Sequence, residues 1–246
     1  MLAKRIIPSI LCRGPLQVKG VGFDSWRAVG VAEAAVRIHS ARGCDEILLV
    51  DIGATPERRG PDLAMIERIS AGCFCPLTVG GGVRTLGDIE ALLRVGADKV
   101  LIGAAAIEDP RLIHDAAVRF GSSTVVVAVD VLDQRAVINC GKTIVRRRPN
   151  AYSALMERAG AGEILLTSVV RDGTLTGYDL DLIAEIADIV NIPVIAAGGC
   201  GTYDHMRQAF LAGADACASG AMLQWTDATP RGAAEYLSKH DVEVRL

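Results

Sequence analysis

Four short runs of small residues carry the first chemical signal. Gly80-Gly81-Gly82 and Gly198-Gly199 each close an apolar run, and Gly103-Ala104 and Gly220-Ala221 close two more. Where bulky side chains are missing, backbone N–H groups can close on an oxyanion, and the N-terminus of a following helix adds positive potential. A single Gly-Gly would say little, because glycine also serves tight turns. Here the pattern occurs twice at matching places. The expectation is two phosphate-like sites, one from Gly81, Gly82, Gly103 and Ala104, the other from Gly198, Gly199, Gly220 and Ala221. A second set of residues is ionisable: Arg5, Glu46, Lys99 and Glu163 stand at or near the heads of apolar runs. If those runs are neighbouring strands, the four charges meet and pair at the end opposite the glycines. A purely structural plug of paired charges would look the same.

The elements that must position these residues are legible from an internal repeat. Gly43 to Leu49 matches Gly160 to Leu166, Pro76 matches Pro193, and Gly96-Ala97-Asp98 matches Gly213-Ala214-Asp215. The offset is constant at 117 residues, and 19 of 63 positions are identical between 43–105 and 160–222. Two such blocks imply two copies of one supersecondary unit. Short β-branched runs alternate with amphipathic stretches, the mark of βαβ units in a parallel sheet. Strands are expected at Arg5–Leu11, Glu46–Asp51, Pro76–Gly80, Lys99–Ile102, Val125–Asp130, Glu163–Ser168, Pro193–Ala197 and Ala216–Ser219. Helical apolar spacing appears at Ile66-Ile69 and Ile183-Ile186, and Thr85 and Thr202 are candidate N-caps for helices at Leu86–Arg94 and Tyr203–Leu211. Eight strands in two equivalent fours predict an α/β fold, a (β/α)₈ TIM barrel with an internal half-barrel repeat, in one domain over residues 1–246. An open doubly wound sheet is the alternative. In such barrels chemistry sits where strands end.

Composition narrows the function. The chain has 246 residues, enough for one barrel of roughly 250. Aromatics are only 4%, which suits a core of Val, Ile, Leu and Ala around parallel strands. A formal net charge of −3 gives no support for nucleic-acid binding. Cys73 and Cys75 form a Cys-x-Cys with no second pair to complete a zinc site, so no metal and no cofactor are expected. The seven cysteines lie mostly in apolar runs, as reduced thiols of a cytoplasmic protein do. No apolar stretch is long enough for a membrane span, and the N-terminus is too short for a secretory signal.

Several stretches together resemble a known family along essentially the whole chain. They are Met1–Ile7, Asp51 after Glu46-Ile-Leu-Leu-Val, Val79-Gly-Gly-Gly82, Gly96-Ala-Asp-Lys99, Val126-Val-Ala-Val-Asp130, Gly160–Ser168, Arg171-Asp-Gly-Thr174 and Val244-Arg-Leu246. The chain is similar to the cyclase subunit of imidazole glycerol phosphate synthase. That resemblance implies a phosphorylated substrate held at both ends in the barrel mouth. It also implies a glutaminase subunit docked as a heterodimer on the N-terminal face, and ammonia delivered through the barrel. It makes Arg5, Glu46, Lys99 and Glu163 the ammonia gate and places Asp98 at the partner interface. Asp130, Lys19 and Asp172 become the catalytic candidates, and Gly173 joins the phosphate-binding set.

The chain departs from that pattern where the chemistry is done. The family's cyclase uses carboxylates at the ends of strands one and five as general base and general acid. Asp130 is the second; the first position is Leu11, and no carboxylate precedes Asp24. Gly103-Ala104 and Ala221 replace polar side chains, and Val170 precedes Arg171. Ile6-Ile-Pro8, Leu11 and Cys73-Phe-Cys-Pro-Leu77 resemble a paralogous branch associated with glycosyl amidation in surface-polysaccharide synthesis. The implied role is ammonia supply for an acetamidino group on a sugar nucleotide, with an ATP-dependent amidating enzyme as a further partner. Two alternatives stand beside it: a histidine-biosynthesis cyclase, a lyase, and a non-catalytic ammonia-conducting docking module.

Overall fold

The computed structural model describes residues 3–246; Met1 and Leu2 of the N-terminal motif lie outside them. Eight parallel strands close into a barrel: β1 (Arg5–Arg13), β2 (Ile47–Asp51), β3 (Leu77–Gly80), β4 (Lys99–Ile102), β5 (Val125–Leu132), β6 (Glu163–Ser168), β7 (Val194–Ala197) and β8 (Ala216–Ser219). Closure comes from pairing of β6 with β5, and of β1 with both β8 and β2. Helices cover the outside, among them Leu63–Ser70, Leu86–Arg94, Leu180–Ala187 and Tyr203–Leu211.

Alternation along the strands explains why this sequence closes. Successive residues of a strand point to opposite faces. In β1, Ile6, Ile10 and Cys12 join the large core under the helices, while Ile7 joins a second, smaller core with Leu48, Leu101, Val126, Leu165, Ile195, Ala216 and Ala218. That second core is the packed interior of the barrel. Beneath it lie Arg5, Glu46, Lys99 and Glu163, and above it the strands open into the mouth. The closed barrel hides both sets from water, one under the helices and the other inside.

The repeat is kept in detailed contacts. Thr85 and Thr202 both cap their helices, accepting from the backbone N–H of Asp88 and His205. Asp62 and Asp179 likewise accept from Met65 and Leu182. Asp98 accepts from the Leu77 N–H at 2.8 Å and Asp215 from the Val194 N–H at 3.1 Å. Every one of these pairs is separated by 117 residues.

Expectation and structure differ at the ends of strands and after two of them. β3 and β7 begin one residue late, at Leu77 and Val194, because Pro76 and Pro193 lack a ladder N–H; β2 also begins one residue late, at Ile47, which donates to the Pro76 carbonyl. β1 and β5 run two residues past their expected ends, because each turns back into an antiparallel hairpin. Leu16–Val21 and Asp24–Val31 follow β1; Arg135–Ile138 and Thr143–Ile144 follow β5. Lys19 therefore lies in a strand, not in an open loop. Among the described residues, no helix is long and apolar enough to cross a membrane.

Candidate functional site at the barrel mouth

The strand ends surround a cavity of about 870 Å³. Leu11, Lys19, Asp130 and Asp172 all line it, as do Gly81, Gly82, Gly103, Ala104, Gly173, Gly198, Gly220 and Ala221. The structure thus gathers the expected catalytic set and all but one of the expected phosphate residues. Gly199 is the exception: it is buried behind the wall, and a Cβ there would overlap the Gly177 carbonyl.

Glycine is required at these rims for packing as well as approach. Gly81 and Gly198 have φ of 109° and 86°, in the region that favours glycine. A Cβ at Gly81 would overlap the Asp51 carbonyl, and one at Gly198 would crowd the Ser168 carbonyl, the equivalent contact in the other half. The short helices Ala104–Glu108 and Ala221–Trp225 open on Gly103 and Gly220 with no side-chain cap. Their first N–H groups have no intrahelical partner.

The two hairpins bring the ionisable groups together. Gly22 donates its N–H to the Asp172 carbonyl at 3.0 Å, and a side chain at Gly173 would collide with the Gly20 carbonyl. This seam places Lys19 beside Asp172. Lys19 Nζ donates to the Ser9 carbonyl at 3.0 Å. Across the mouth, Phe23 approaches Gly141, where a Cβ would stand 3.8 Å from its ring. The tips of the two hairpins therefore meet over the cavity.

Three of these groups are tuned toward neutrality. Burial pushes the Asp130 carboxyl up to about 7; the Asp172 charge adds to the rise, and a hydrogen bond from Thr167 opposes it. Burial also lifts Asp172 to about 6, against the pull of Lys19 and the Gly173 N–H. Lys19 falls to about 8 by burial, with Asp172 opposing. Groups that change protonation near neutral pH in one cavity can take and give protons. At the wall that β1 contributes, Leu11 offers no such group.

Residues with no assigned role in the sequence also line the mouth. Asp51 ends β2, held by Arg59 at 2.7 Å and by the Gly53 N–H at 3.0 Å. A carboxylate at the end of a barrel strand was the available signal. Arg58, Arg84 and Lys142 line the cavity too, and among the described residues none makes an ion pair. The positions equivalent to Arg58 and Arg84 in the second half are Leu175 and Gly201. Free positive charge therefore concentrates on the β2–β5 side. Phe23 and Trp26 add aromatic surface. The signal for these was weak, since the hairpin strand Asp24–Val31 is mostly exposed and lacks apolar alternation.

The expected ring of charges closes the floor. Arg5 donates to Glu46 at 2.7 Å and to Glu163 at 3.0 Å; Lys99 donates to both at 2.8 Å. Thr78 adds a hydroxyl donor to Glu46 at 2.6 Å, for which Ile195 offers no counterpart on the Glu163 side. Two cations and two carboxylates alternate, so the ring is neutral. Asp98 lies beside it at the head of β4, exposed, with one carboxylate oxygen tied to Leu77. Its equivalent Asp215 makes the same bond, so this contact belongs to the strand pair. Among the described residues, no group of three or more His, Cys, Asp or Glu side chains is placed to hold a metal ion.

The fold and site define a closed (β/α)₈ barrel with a glycine-rimmed mouth and a salt-bridged floor. The profile of the histidine biosynthesis protein family matches residues 5–227, and this chain belongs to that family. Along its full length it is 41% identical to the imidazole glycerol phosphate synthase subunit HisF of Methanosphaerula palustris, with 100% of each chain aligned.

Proposed function

We propose that this chain is the barrel subunit of a glutamine amidotransferase pair. It receives ammonia from a glutaminase bound to its N-terminal face and passes it to a phosphorylated acceptor in the mouth. The observation that carries this reading is the neutral ring of Arg5, Glu46, Lys99 and Glu163 at the end of the barrel opposite the cavity. A ring of alternating charges can open without stranding a net charge, which suits a gate for a small neutral molecule. The phosphate-suited rims and the full-length likeness to HisF support the same reading.

We infer further that the acceptor is a sugar nucleotide amidated with the help of an ATP-dependent partner enzyme. The replacement of a strand-one carboxylate by Leu11, opposite the β5 end that bears Asp130, removes half of an acid–base pair. Arg58, Arg84 and Lys142 supply charge beyond what one phosphate needs. The histidine-pathway cyclase is the second reading, favoured by Lys19, Asp130 and Asp172 meeting in one cavity with protonation tuned near neutrality.

The test pairs this chain with the glutaminase subunit of an imidazole glycerol phosphate synthase and follows glutamine consumption. Binding should stimulate glutamine hydrolysis. Lys99→Ala should leave binding intact while ammonia escapes to solvent, read as ammonia released per glutamine consumed. A chain that neither binds nor stimulates the glutaminase overturns the proposal.

A further inference from the structure

Three cysteines cluster at the barrel floor, outside the mouth. Cys44 Sγ lies 3.5 Å from Cys75 Sγ, and Cys73 Sγ lies 3.9 Å from the same Cys75 sulfur. They come from two segments, the turn leading into β2 and the turn leading into β3. The backbone between them is already laddered, since Ile47 donates its N–H to the Pro76 carbonyl at 2.8 Å. Cys44 precedes Glu46 by two residues, and Cys75 precedes Thr78 by three. Glu46 and Thr78 are hydrogen-bonded to each other at the ring. The thiol contact thus lies just ahead of the strand pair whose heads carry the Glu46–Thr78 contact.

The internal repeat acts as a control. Positions 44, 73 and 75 correspond to Ala161, Val190 and Ile192 in the second half. Those three pack as ordinary apolar core. The fold therefore does not need sulfur at these places; small or branched aliphatics fill them. Between the two cysteines of β3's approach, Phe74 is 86% exposed, so this turn lies at the surface. Cys73 and Cys75 are half-buried and Cys44 is buried behind them, an order that lets a small disulfide reach Cys75 first.

We propose that Cys44 and Cys75 form a reversible modification site: a dithiol that a small-molecule disulfide such as glutathione disulfide oxidises to an intramolecular cross-link between the β2 and β3 approaches. The Cys75 thiolate attacks one sulfur of the oxidant, forming a mixed disulfide and releasing one thiolate, which takes up the proton Cys75 lost. The Cys44 thiolate then attacks the Cys75 sulfur, forming the Cys44–Cys75 bond and expelling the second thiolate, which is protonated in turn. Two protein thiols are oxidised, and one disulfide is reduced to two thiols. Hydrogen bonding to Cys44 pushes the Cys75 thiol up to about 11, so the attacking thiol is protonated near neutral pH and exchanges slowly. The pair answers to sustained redox poise, not to brief exposure.

The experiment equilibrates the full chain at rising ratios of oxidised to reduced glutathione, blocks remaining thiols during unfolding, and digests with trypsin without reductant. The expected product is peptide 43–58 joined to peptide 69–84, two hydrogens lighter than the sum and separated by dithiothreitol. Cys73→Ser should still give that product. Cys44→Ser should abolish it and leave glutathione on Cys75. Peptide 43–58 found fully blocked at every ratio overturns the proposal, as does a product confined to glutathione adducts or to a Cys73–Cys75 bridge within 69–84.

Discussion

Lys19 Nζ stands directly against Gly220, so closely that a Cβ at residue 220 would overlap it, while its proton is shared with the Ser9 carbonyl at 3.0 Å. The hairpin after β1 thus delivers a cation to the glycine rim of β8, where the second-half phosphate site is proposed. Gly220 has φ of −116°, which any residue adopts, so alanine is tolerated by the backbone. One obstruction is the far end of a flexible side chain; the other is the Ser9 backbone carbonyl, which the Cβ would approach to 2.9 Å. Gly220→Ala should therefore push Lys19 off the rim and cost about 1–2 kcal/mol of stability as the rim shifts away from the Ser9 carbonyl. Losing one charge-assisted hydrogen bond corresponds to a roughly tenfold weaker grip on inorganic phosphate. Calorimetric titration with phosphate, beside a thermal melt, separates the two effects; unchanged affinity would detach Lys19 from anion binding.

Asp130 makes a pH-dependent contribution of known sign. Its folded pKa of about 7 lies above the unfolded value near ~3.9, so the native state holds this proton more tightly. The stability it contributes is fully present below the unfolded value and is lost as pH rises through about 7. Asp130→Asn removes that dependence. The gap between wild type and variant should shift in the variant's favour by up to about 4 kcal/mol from pH 3 to pH 8, and by less where cavity water screens the charge. Lys19 works in another window. Its folded value of about 8 lies below the ordinary lysine value, so its influence appears as a rise in stability above that pH. Urea titrations across pH on Asp130→Asn and Lys19→Met would distinguish the two; a flat difference for Asp130→Asn would contradict its burial as a strained carboxylate.

The ring should show strong energetic coupling. Removing one member strands its partners in a poorly solvated place, at a cost of about 3 kcal/mol. Glu163→Gln and Lys99→Met should each destabilise by roughly that amount. The double variant leaves Arg5 and Glu46 paired at 2.7 Å with no net charge, so it should cost clearly less than the sum. A double-mutant cycle by urea unfolding checks this. Additive losses would mean that the four charges act separately.

The repeat made much of this molecule readable. One offset predicts that Glu46 and Glu163 sit at equivalent places, and both meet Arg5 and Lys99. Thr85 and Thr202 were recognisable as caps because a side-chain oxygen before an apolar helical pattern has one obvious use. The hairpins were not readable. Their strands pair within a few residues; Gln17, Val18 and Lys19 are buried one after another and Asp24–Val31 is mostly exposed, so no core-facing alternation marks them. Nothing marked Lys19 as a strand residue, and the signal for Phe23 and Trp26 was weak. Asp98 was legible as a strand-head residue, but its bond to Leu77 is a tertiary contact that only the fold supplies. For that reason Asp98→Asn, which keeps the acceptor, probes glutaminase docking more cleanly than Asp98→Lys.

Leu11 is where the competing functions part. It lines the same cavity as Asp130 and is only partly buried, so an aspartate there would meet cavity water. The penalty for placing a carboxylate at such a wall is about 1–2 kcal/mol. Given ammonium and the phosphorylated histidine-pathway substrate, the unmodified chain should show little cyclase turnover, because proton transfer across a bound intermediate needs a group on each side. Leu11→Asp restores that group opposite Asp130 and should raise turnover by up to about 10²-fold, short of a full gain because Gly103, Ala104 and Val170 also leave the substrate less firmly placed. Adding Asp130→Asn to Leu11→Asp should erase the gain. Strong turnover by the unmodified chain that disappears in Asp130→Asn would establish the cyclase and leave Lys19, tuned to about 8, as the group opposite Asp130. Strong turnover that survives Asp130→Asn would remove Asp130 from the chemistry altogether.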